Sequence, residues 1–94
     1  MMQFEWDENK NEINLRKHKI AFSDVPIVFK GPMLIDYDDR QDYGEERWIG
    51  MGLMNVIVIF VIFTERGEDT IRIISARKAN QKECKRYYEA ITKN

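Results

Sequence analysis

Arginines are concentrated around one segment in the second half of this sequence. The segment "TIRIISARKA", residues 70–79, has the pattern of a strand, carries Arg72 and Arg77, and follows closely after Arg66. Guanidinium groups hydrogen-bond phosphate bidentately and stay charged at any cellular pH. These arginines are therefore either solvated strand positions or ligands of a bound anion. The full basic set with this potential is Lys17, His18, Arg47, Arg66, Arg72 and Arg77.

Carboxylates accompany two of these arginines. The segment "GEERW" places Glu46 beside Arg47 at the start of a predicted strand, and "TERG" places Glu65 and Arg66 at the end of the next. In an antiparallel pair these two positions are neighbours, so they are expected to converge at one end of the sheet. Such a set suits RNA cleavage without a metal, in which a base deprotonates the ribose 2′-OH and arginines stabilise the charge that develops on the phosphate. The residues leave Glu45, Glu46 and Glu65 open as the base.

Two further features affect how such a site could be built. Trp48 could stack on an unpaired base, a contact worth about 1–3 kcal/mol, or it could be a core or edge-strand residue.

Arg72 and Arg77 are an odd number of positions apart, so in an unbroken strand they point to opposite faces. For both to meet one ligand, one of them must lie past the strand end or beyond a bulge. We expect Arg77 to be the one outside the regular ladder, because a helix follows it.

Other chemistries find less support. The chain has one His and one Cys, so no metal-ligand spacing exists, and the segment "DYDDRQD" is typical of an exposed acidic loop rather than a carboxylate metal site. No Gly-rich phosphate loop is present. Cys84 reads as an apolar helix residue rather than a nucleophile, and Tyr87 and Tyr88 read as helix packing rather than general acids. We therefore predict no metal and no cofactor.

Composition limits the class of protein. The 94 residues predict one domain, residues 1–94, and the net charge of −1 argues against a generally basic nucleic-acid binder. The polar N-terminus does not resemble a signal peptide, the longest apolar run "VIVIFVIF" is too short to span a bilayer, and a single cysteine fits the cytoplasm. Residues 1–46 carry six Lys/Arg against eleven Asp/Glu, and residues 47–94 carry nine against five. This asymmetry indicates either an acidic partner for one face or simply two solvated surfaces.

Hydrophobic periodicity predicts an α+β fold. An extended lead-in at Phe4–Trp6 precedes a helix capped by Asp7 and ending near His18, and a short helix over "VPIVF" follows a second cap at Ser23 or Asp24. Four strands come next, over residues 33–37, 47–53, 55–65 and 69–77, and a helix capped by Asn80 closes the chain. Short connections between the strands predict a four-stranded antiparallel meander.

Several segments in this order resemble the BrnT-type toxins of bacterial type II toxin–antitoxin systems. They are "FEWDENKNEINLRKHKIAFSD", "GEERW", "TERG", "IRIISARKA" and "YYE", and together they cover nearly the whole chain. The resemblance implies a fold similar to RelE-like ribonucleases. It also implies an endoribonuclease that inhibits translation and is neutralised by a BrnA-type antitoxin, which would connect the toxin to operator DNA only indirectly.

The resemblance also suggests residue roles. The family's active-site features fall on Glu46, Trp48, Arg66, Arg77, Lys17 and His18, while Arg47 and Arg72 come from the basic set above. We expect the catalytic residues to be Glu46, Arg66, Arg77 and His18, and the RNA-binding residues to be Lys17, Arg47, Trp48 and Arg72. The alternative is a catalytically silent module that only holds a DNA-binding antitoxin for repression of its own operon. RNA-cleavage assays on the purified chain distinguish the two hypotheses.

Overall fold

The computed structural model of the chain describes residues 2–93 and has an α+β architecture. Five strands, two α-helices and a 3₁₀ segment follow one another along the chain. In order they are β1 (Gln3–Trp6), α1 (Glu8–His18), the 3₁₀ segment (Phe22–Lys30), β2 (Leu34–Tyr37), β3 (Trp48–Met54), β4 (Ile57–Arg66), β5 (Thr70–Lys78) and α2 (Gln81–Thr92). No helix in this part of the chain is both long and apolar enough to cross a membrane.

The sheet has five strands and is mixed, so the prediction of a four-stranded antiparallel sheet was wrong. The strand order is β1-β5-β4-β3-β2. The predicted meander from β2 to β5 is present, with each neighbouring pair antiparallel. The lead-in predicted at Phe4–Trp6 forms β1 (Gln3–Trp6), which pairs in parallel with residues Thr70–Ile73 of β5. This pairing covers part of an edge whose backbone N–H and C=O groups would otherwise lack partners.

A side chain of α1 covers the part of the β5 edge that β1 does not reach. Asn14, which is 5% exposed, accepts a hydrogen bond from the Ala76 N–H at 3.1 Å and donates one to the Ala76 C=O at 2.9 Å. Its amide also donates to the Ile20 C=O at 3.0 Å. The Asn14 carboxamide therefore satisfies both backbone groups of Ala76, three residues beyond the last pair with β1, and fixes α1 against β5.

The ends of α1 follow from local chemistry. Asp7 caps the N-terminus by accepting from the Lys10 N–H at 3.0 Å, as predicted. The helix ends at His18, and Lys19 adopts a left-handed conformation with φ of 62°. That conformation favours glycine because it crowds a Cβ atom. The predicted cap of the following segment is wrong: the 3₁₀ segment begins at Phe22, and no side chain caps it.

The sheet has a different apolar layer on each face. The 3₁₀ segment packs Phe22, Val25 and Val28 onto one face, where β3 approaches so closely that a Cβ on Gly52 would lie 2.7 Å from Val28. On the other face, α2 packs Tyr87 against Met51 and Val58. Because α2 covers only part of this second face, the remainder is left for polar side chains.

Candidate active site

A β-bulge changes the alternation of side chains along β5. Ile62 pairs with Ser75 and Phe63 pairs with Ile73, so Ile74 has no partner on β4 and is the extra residue. A bulge of this kind reverses the parity of every residue that follows it in the strand.

The bulge places both arginines of β5 on the same face. Arg72 pairs with Thr64 and Arg77 pairs with Phe60, and these two partners are four positions apart on the unbroken β4. An even separation means a common face, which is the face that carries α2. Arg77 was expected outside the ladder, and this is wrong because it is paired within β5. The sequence also allowed a bulge between the two arginines, and the structure has this bulge at Ile74.

A row of polar side chains crosses the whole sheet on this face. The pairing of Arg72 with Glu5 on β1 and with Thr64 on β4 gives one half of the row. Arg47 directly precedes the paired residue Trp48. The Arg47 C=O accepts a hydrogen bond from the Asp38 N–H at 2.8 Å, so the ladder continues to the β2 edge of the sheet. The row is therefore Asp38, Arg47, Thr64, Arg72 and Glu5. Arg66 has the same parity on β4, and we call the surface formed by Arg47, Arg66, Arg72 and Arg77 the arginine face.

Carboxylates orient these arginines. Glu45 contacts two of them, with Oε2 at 3.2 Å from Arg47 Nε and Oε1 at 3.1 Å from Arg66 Nη2. Glu5 Oε2 lies 2.7 Å from Arg72 Nη1. The Arg47 guanidinium also lies over the Tyr43 ring, 4.1 Å from its centroid. The arginines are thus held in fixed positions before any ligand binds.

Arg77 is the most extensively held member of the set. Its Nη1 and Nη2 donate to the two carboxylate oxygens of Glu83 at 2.8 and 2.9 Å, and its guanidinium lies 3.9 Å from the centroid of the Phe60 ring. Hydrogen bonding to Glu83 raises the pKa of Arg77, while burial and the charge of Arg40 oppose this rise. The same hydrogen bonds lower the pKa of Glu83. Glu83 also forms a capping box with Asn80, so the ion pair joins β5 to the first turn of α2.

A groove lies where β3 begins and β4 ends. It has a volume of about 280 Å³ and brings together two predicted catalytic residues, Glu46 and Arg66. Glu46 is exposed, and its backbone C=O accepts from the Thr64 hydroxyl. Trp48 also borders the groove, but it pairs with Phe63 and therefore faces away from the arginines. The complete lining is Glu45, Glu46, Trp48, Thr64, Glu65 and Arg66.

Lys17 and His18 do not line this groove. They border a second cavity on the side of α1, together with Ile74 and Ser75 of the β5 bulge. Ile74 lies between Arg72 and Arg77 in the strand, but neither arginine lines this cavity. The structure thus divides the predicted site residues among the groove, the arginine face and this neighbouring cavity.

Sequence reasoning missed Arg40 and its partner. The loop "DYDDRQD" was read as acidic and exposed, but the Asp38 side chain is 0% exposed and binds Arg40 through two hydrogen bonds, of 2.7 and 2.9 Å. These bonds lower the pKa of Asp38. Asp36 of the same segment contacts Arg86 of α2 at 2.6 Å. Within residues 2–93, no three His, Cys, Asp or Glu side chains are grouped closely enough to hold a metal ion.

Comparison with known proteins gives two results. A sequence profile described as "Ribonuclease toxin, BrnT, of type II toxin-antitoxin system" matches residues 6–83. Among solved structures, the chain is similar to the ribonuclease toxin BrnT of Brucella abortus, with 30% identity and a TM-score of 0.65 over 86% of this chain and 100% of that chain. A comparison with curated proteins gave no match. Because the profile covers most of the sequence, this chain belongs to the BrnT family of ribonuclease toxins of type II toxin–antitoxin systems.

Proposed function

We propose that the chain is an endoribonuclease that binds RNA phosphates on the arginine face and cleaves by attack of a ribose 2′-OH. The observation that carries this proposal is the bulge at Ile74, which aligns Arg72 and Arg77 on one face with Arg47 and Arg66. Fixed guanidinium groups stabilise charge on the non-bridging oxygens of a transition state without needing to reorganise. The family assignment supports the same class of reaction.

The groove supplies the proposed general base. Glu45 is engaged by two arginines, and Glu65 alternates with Thr64 and Arg66 and so faces away from them. Glu46 lies outside the regular ladder, is exposed and shares the groove with Arg66. We therefore assign Glu46 as the base that takes the 2′-OH proton.

The remaining steps follow from the attack in the groove. The 2′-oxygen forms a bond to phosphorus, the bond from phosphorus to the 5′-oxygen breaks, and the products are a 2′,3′-cyclic phosphate and a 5′-OH. The 5′-oxygen takes its proton from water in the open groove. Lys17 and His18, which border the separate cavity at the bulge, are proposed contacts for a neighbouring phosphate. Trp48, at the rim of the groove, is the proposed stacking surface for a base.

The biological setting is proposed from the family. The chain is expected to inhibit translation in the cytoplasm and to be neutralised by a BrnA-type antitoxin, with operator DNA contacted only through that partner. Similarity of the fold to RelE-like ribonucleases stays a prediction. We also propose that the reaction needs no metal, because the guanidinium groups of the arginine face can themselves stabilise the charge on the phosphate. Cleavage should then persist in excess EDTA, and loss of activity that Mg²⁺ restores would contradict this.

The alternative function has one observation in its favour. Each residue of the arginine face contacts a carboxylate of Glu5, Glu45 or Glu83. A network that is satisfied in this way could serve only to hold the fold of a silent binding module.

A single-site substrate separates the two functions. Initial rates are measured on an end-labelled RNA and on a matched RNA with one 2′-deoxyribose at the mapped cut site. The proposal requires that the modified RNA resists cleavage at that position only, and that Arg72→Ala slows cleavage while Arg16→Ala on the exposed side of α1 does not. A folded wild-type chain that leaves both RNAs intact, with its antitoxin absent, would establish the silent module instead.

A further inference from the structure

The ion pair between Asp38 and Arg40 lies at one end of the polar row. Asp38 pairs opposite Arg47, so its side chain points to the arginine face. It holds Arg40 through Nε at 2.7 Å and Nη2 at 2.9 Å. The Asp38 side chain is fully buried, whereas the Arg40 side chain is 59% exposed. A buried carboxylate therefore orients a guanidinium that remains open to solvent.

The position of Arg40 relative to Arg77 indicates the direction of this guanidinium. Glu83 raises the pKa of Arg77, and the charge of Arg40 is one of the factors that oppose the rise. The Asp38 side chain points to the arginine face and holds Arg40 at 2.7 and 2.9 Å. Arg40 therefore lies on the same side of the sheet as Arg77, although the two belong to different elements.

Arg40 keeps hydrogen-bond donors for a ligand. A guanidinium has five N–H donors. Asp38 uses the Nε donor and one donor on Nη2. Hydrogen bonding to Asp38 raises the pKa of Arg40, and hydrogen bonding to the Tyr43 side chain also contributes, so at least two donors are left for another acceptor. Arg77, in contrast, is bound by Glu83 through both terminal nitrogens and also donates to the Lys78 C=O.

We propose that Arg40 is a further phosphate-binding residue of the RNA site, positioned by Asp38, and that it extends the site to the β2 edge of the sheet. The inference rests on the proposed function. Three strand spacings separate Asp38 on the β2 edge from Arg72 on β5, a distance of about 14 Å at about 4.8 Å per spacing. An RNA strand that crosses the sheet along the polar row meets Arg40, Arg47 and Arg72 in turn. Binding at the row positions RNA, and the reaction occurs beside it in the groove.

The test compares the salt dependence of RNA binding among charge-matched variants. The RNA is a short single strand with one 2′-deoxyribose at the mapped cut site, so that it binds without being cleaved there. The logarithm of the affinity falls with the logarithm of salt concentration by about 0.7 per neutralised phosphate for a single strand. The variant is Asp38→Asn/Arg40→Gln, which has the same net charge as the wild type and leaves no buried carboxylate without a partner. The comparison variant is Asp38→Asn alone, which keeps the charge of Arg40.

We expect the double variant to lose about 0.7 from the slope, as one phosphate contact requires, and Arg40→Lys to keep the slope with weaker binding. Arg16→Ala should leave the slope at the wild-type value. If the double variant keeps the wild-type slope while Arg72→Ala reduces it, Arg40 only closes its loop and the inference is wrong, although the proposed function stands. If neither changes the slope, RNA does not bind this face and both are wrong.

Discussion

Replacing Arg77 and Glu83 one at a time breaks the same ion pair but leaves opposite charges behind. If Arg77 stabilises the transition state, Arg77→Ala should lower the cleavage rate about 10²–10³-fold, equivalent to about 2.7–4 kcal/mol, as for loss of one fixed oxyanion donor. Arg77→Lys should restore part of the rate, because an ammonium supplies charge without the planar donor pair. Glu83→Gln leaves the Arg77 charge in place, so its rate should stay within about tenfold of the wild type.

The two variants also differ in stability, and this can be estimated from the contacts. Arg77→Ala removes a bidentate pair that is 35% and 21% exposed and a cation–π contact with Phe60. Charge-assisted hydrogen bonds contribute about 1.5–3 kcal/mol when desolvated and less when exposed, so we expect a loss of about 1.5–3 kcal/mol in total. Glu83→Gln can keep the capping box with Asn80 and neutral hydrogen bonds, so its loss should be about 0.5–1.5 kcal/mol.

The assay is the initial rate on one RNA substrate at a temperature at which thermal unfolding shows both variants folded. Each kcal/mol lowers the Tm of a domain of this size by about 4–8 °C, so the stability of each variant can be measured independently of its rate. Equal rate losses in Arg77→Ala and Glu83→Gln would show that the pair acts only by fixing α2 on the sheet. Wild-type rates in both would remove Arg77 from the mechanism.

Three further outcomes concern stability and are measured by urea unfolding. Hydrogen bonds from arginines hold the pKa values of Glu83 and Asp38 below their ordinary values of 4.5 and 3.8. The free energy of unfolding should therefore be constant above about pH 5.5 and should fall as the pH drops through the lowered pKa values. Glu83→Gln should reduce that fall, and an unchanged profile would contradict the assignment. Asn14→Ala should cost about 2–5 kcal/mol, because the Ala76 N–H and C=O lose their partner; a loss below 1 kcal/mol would mean that water replaces it. Lys19→Gly should add about 0.5–1 kcal/mol by relieving the left-handed conformation, and a decrease would show that Lys19 is not strained.

The sequence predicted those parts of the fold that depend on local patterns. Asp7 and Asn80 could be identified as caps because an acceptor side chain immediately precedes a helical pattern. Strand β1 could not be identified, because it has only four residues and its stability comes from pairing with β5, which is distant in sequence. The bulge could not be located from the sequence, because Ile74 is as apolar as the buried residues Ile71, Ile73 and Ala76. Only the burial in the structure shows that alternation breaks, with one extra residue between Ile73 and Ala76.

The site was predicted at the level of residue types and only partly at the level of geometry. Glu46 and Arg66 were expected to converge at a strand end, and they line one groove. Trp48 borders the same groove, but the pairing register turns its side chain to the face opposite the arginines. Arg40 was overlooked because the net charge of its loop is negative, whereas the structure buries the nearest carboxylate and leaves the guanidinium exposed.

The charge asymmetry between the two halves of the chain is largely cancelled by folding. Four ion pairs join an acidic side chain of the first half to an arginine of the second half. They are Glu5 with Arg72, Asp36 with Arg86, and Glu45 with both Arg47 and Arg66. An acidic partner is therefore not needed to explain the asymmetry, and the field above the arginine face is weaker than its number of guanidinium groups suggests. Recognition of a phosphate must then depend on the N–H donors that the carboxylates leave free. The better ligand is therefore an extended RNA strand that contacts several arginines once each. A compact polyanion attracted by net charge would be bound less well.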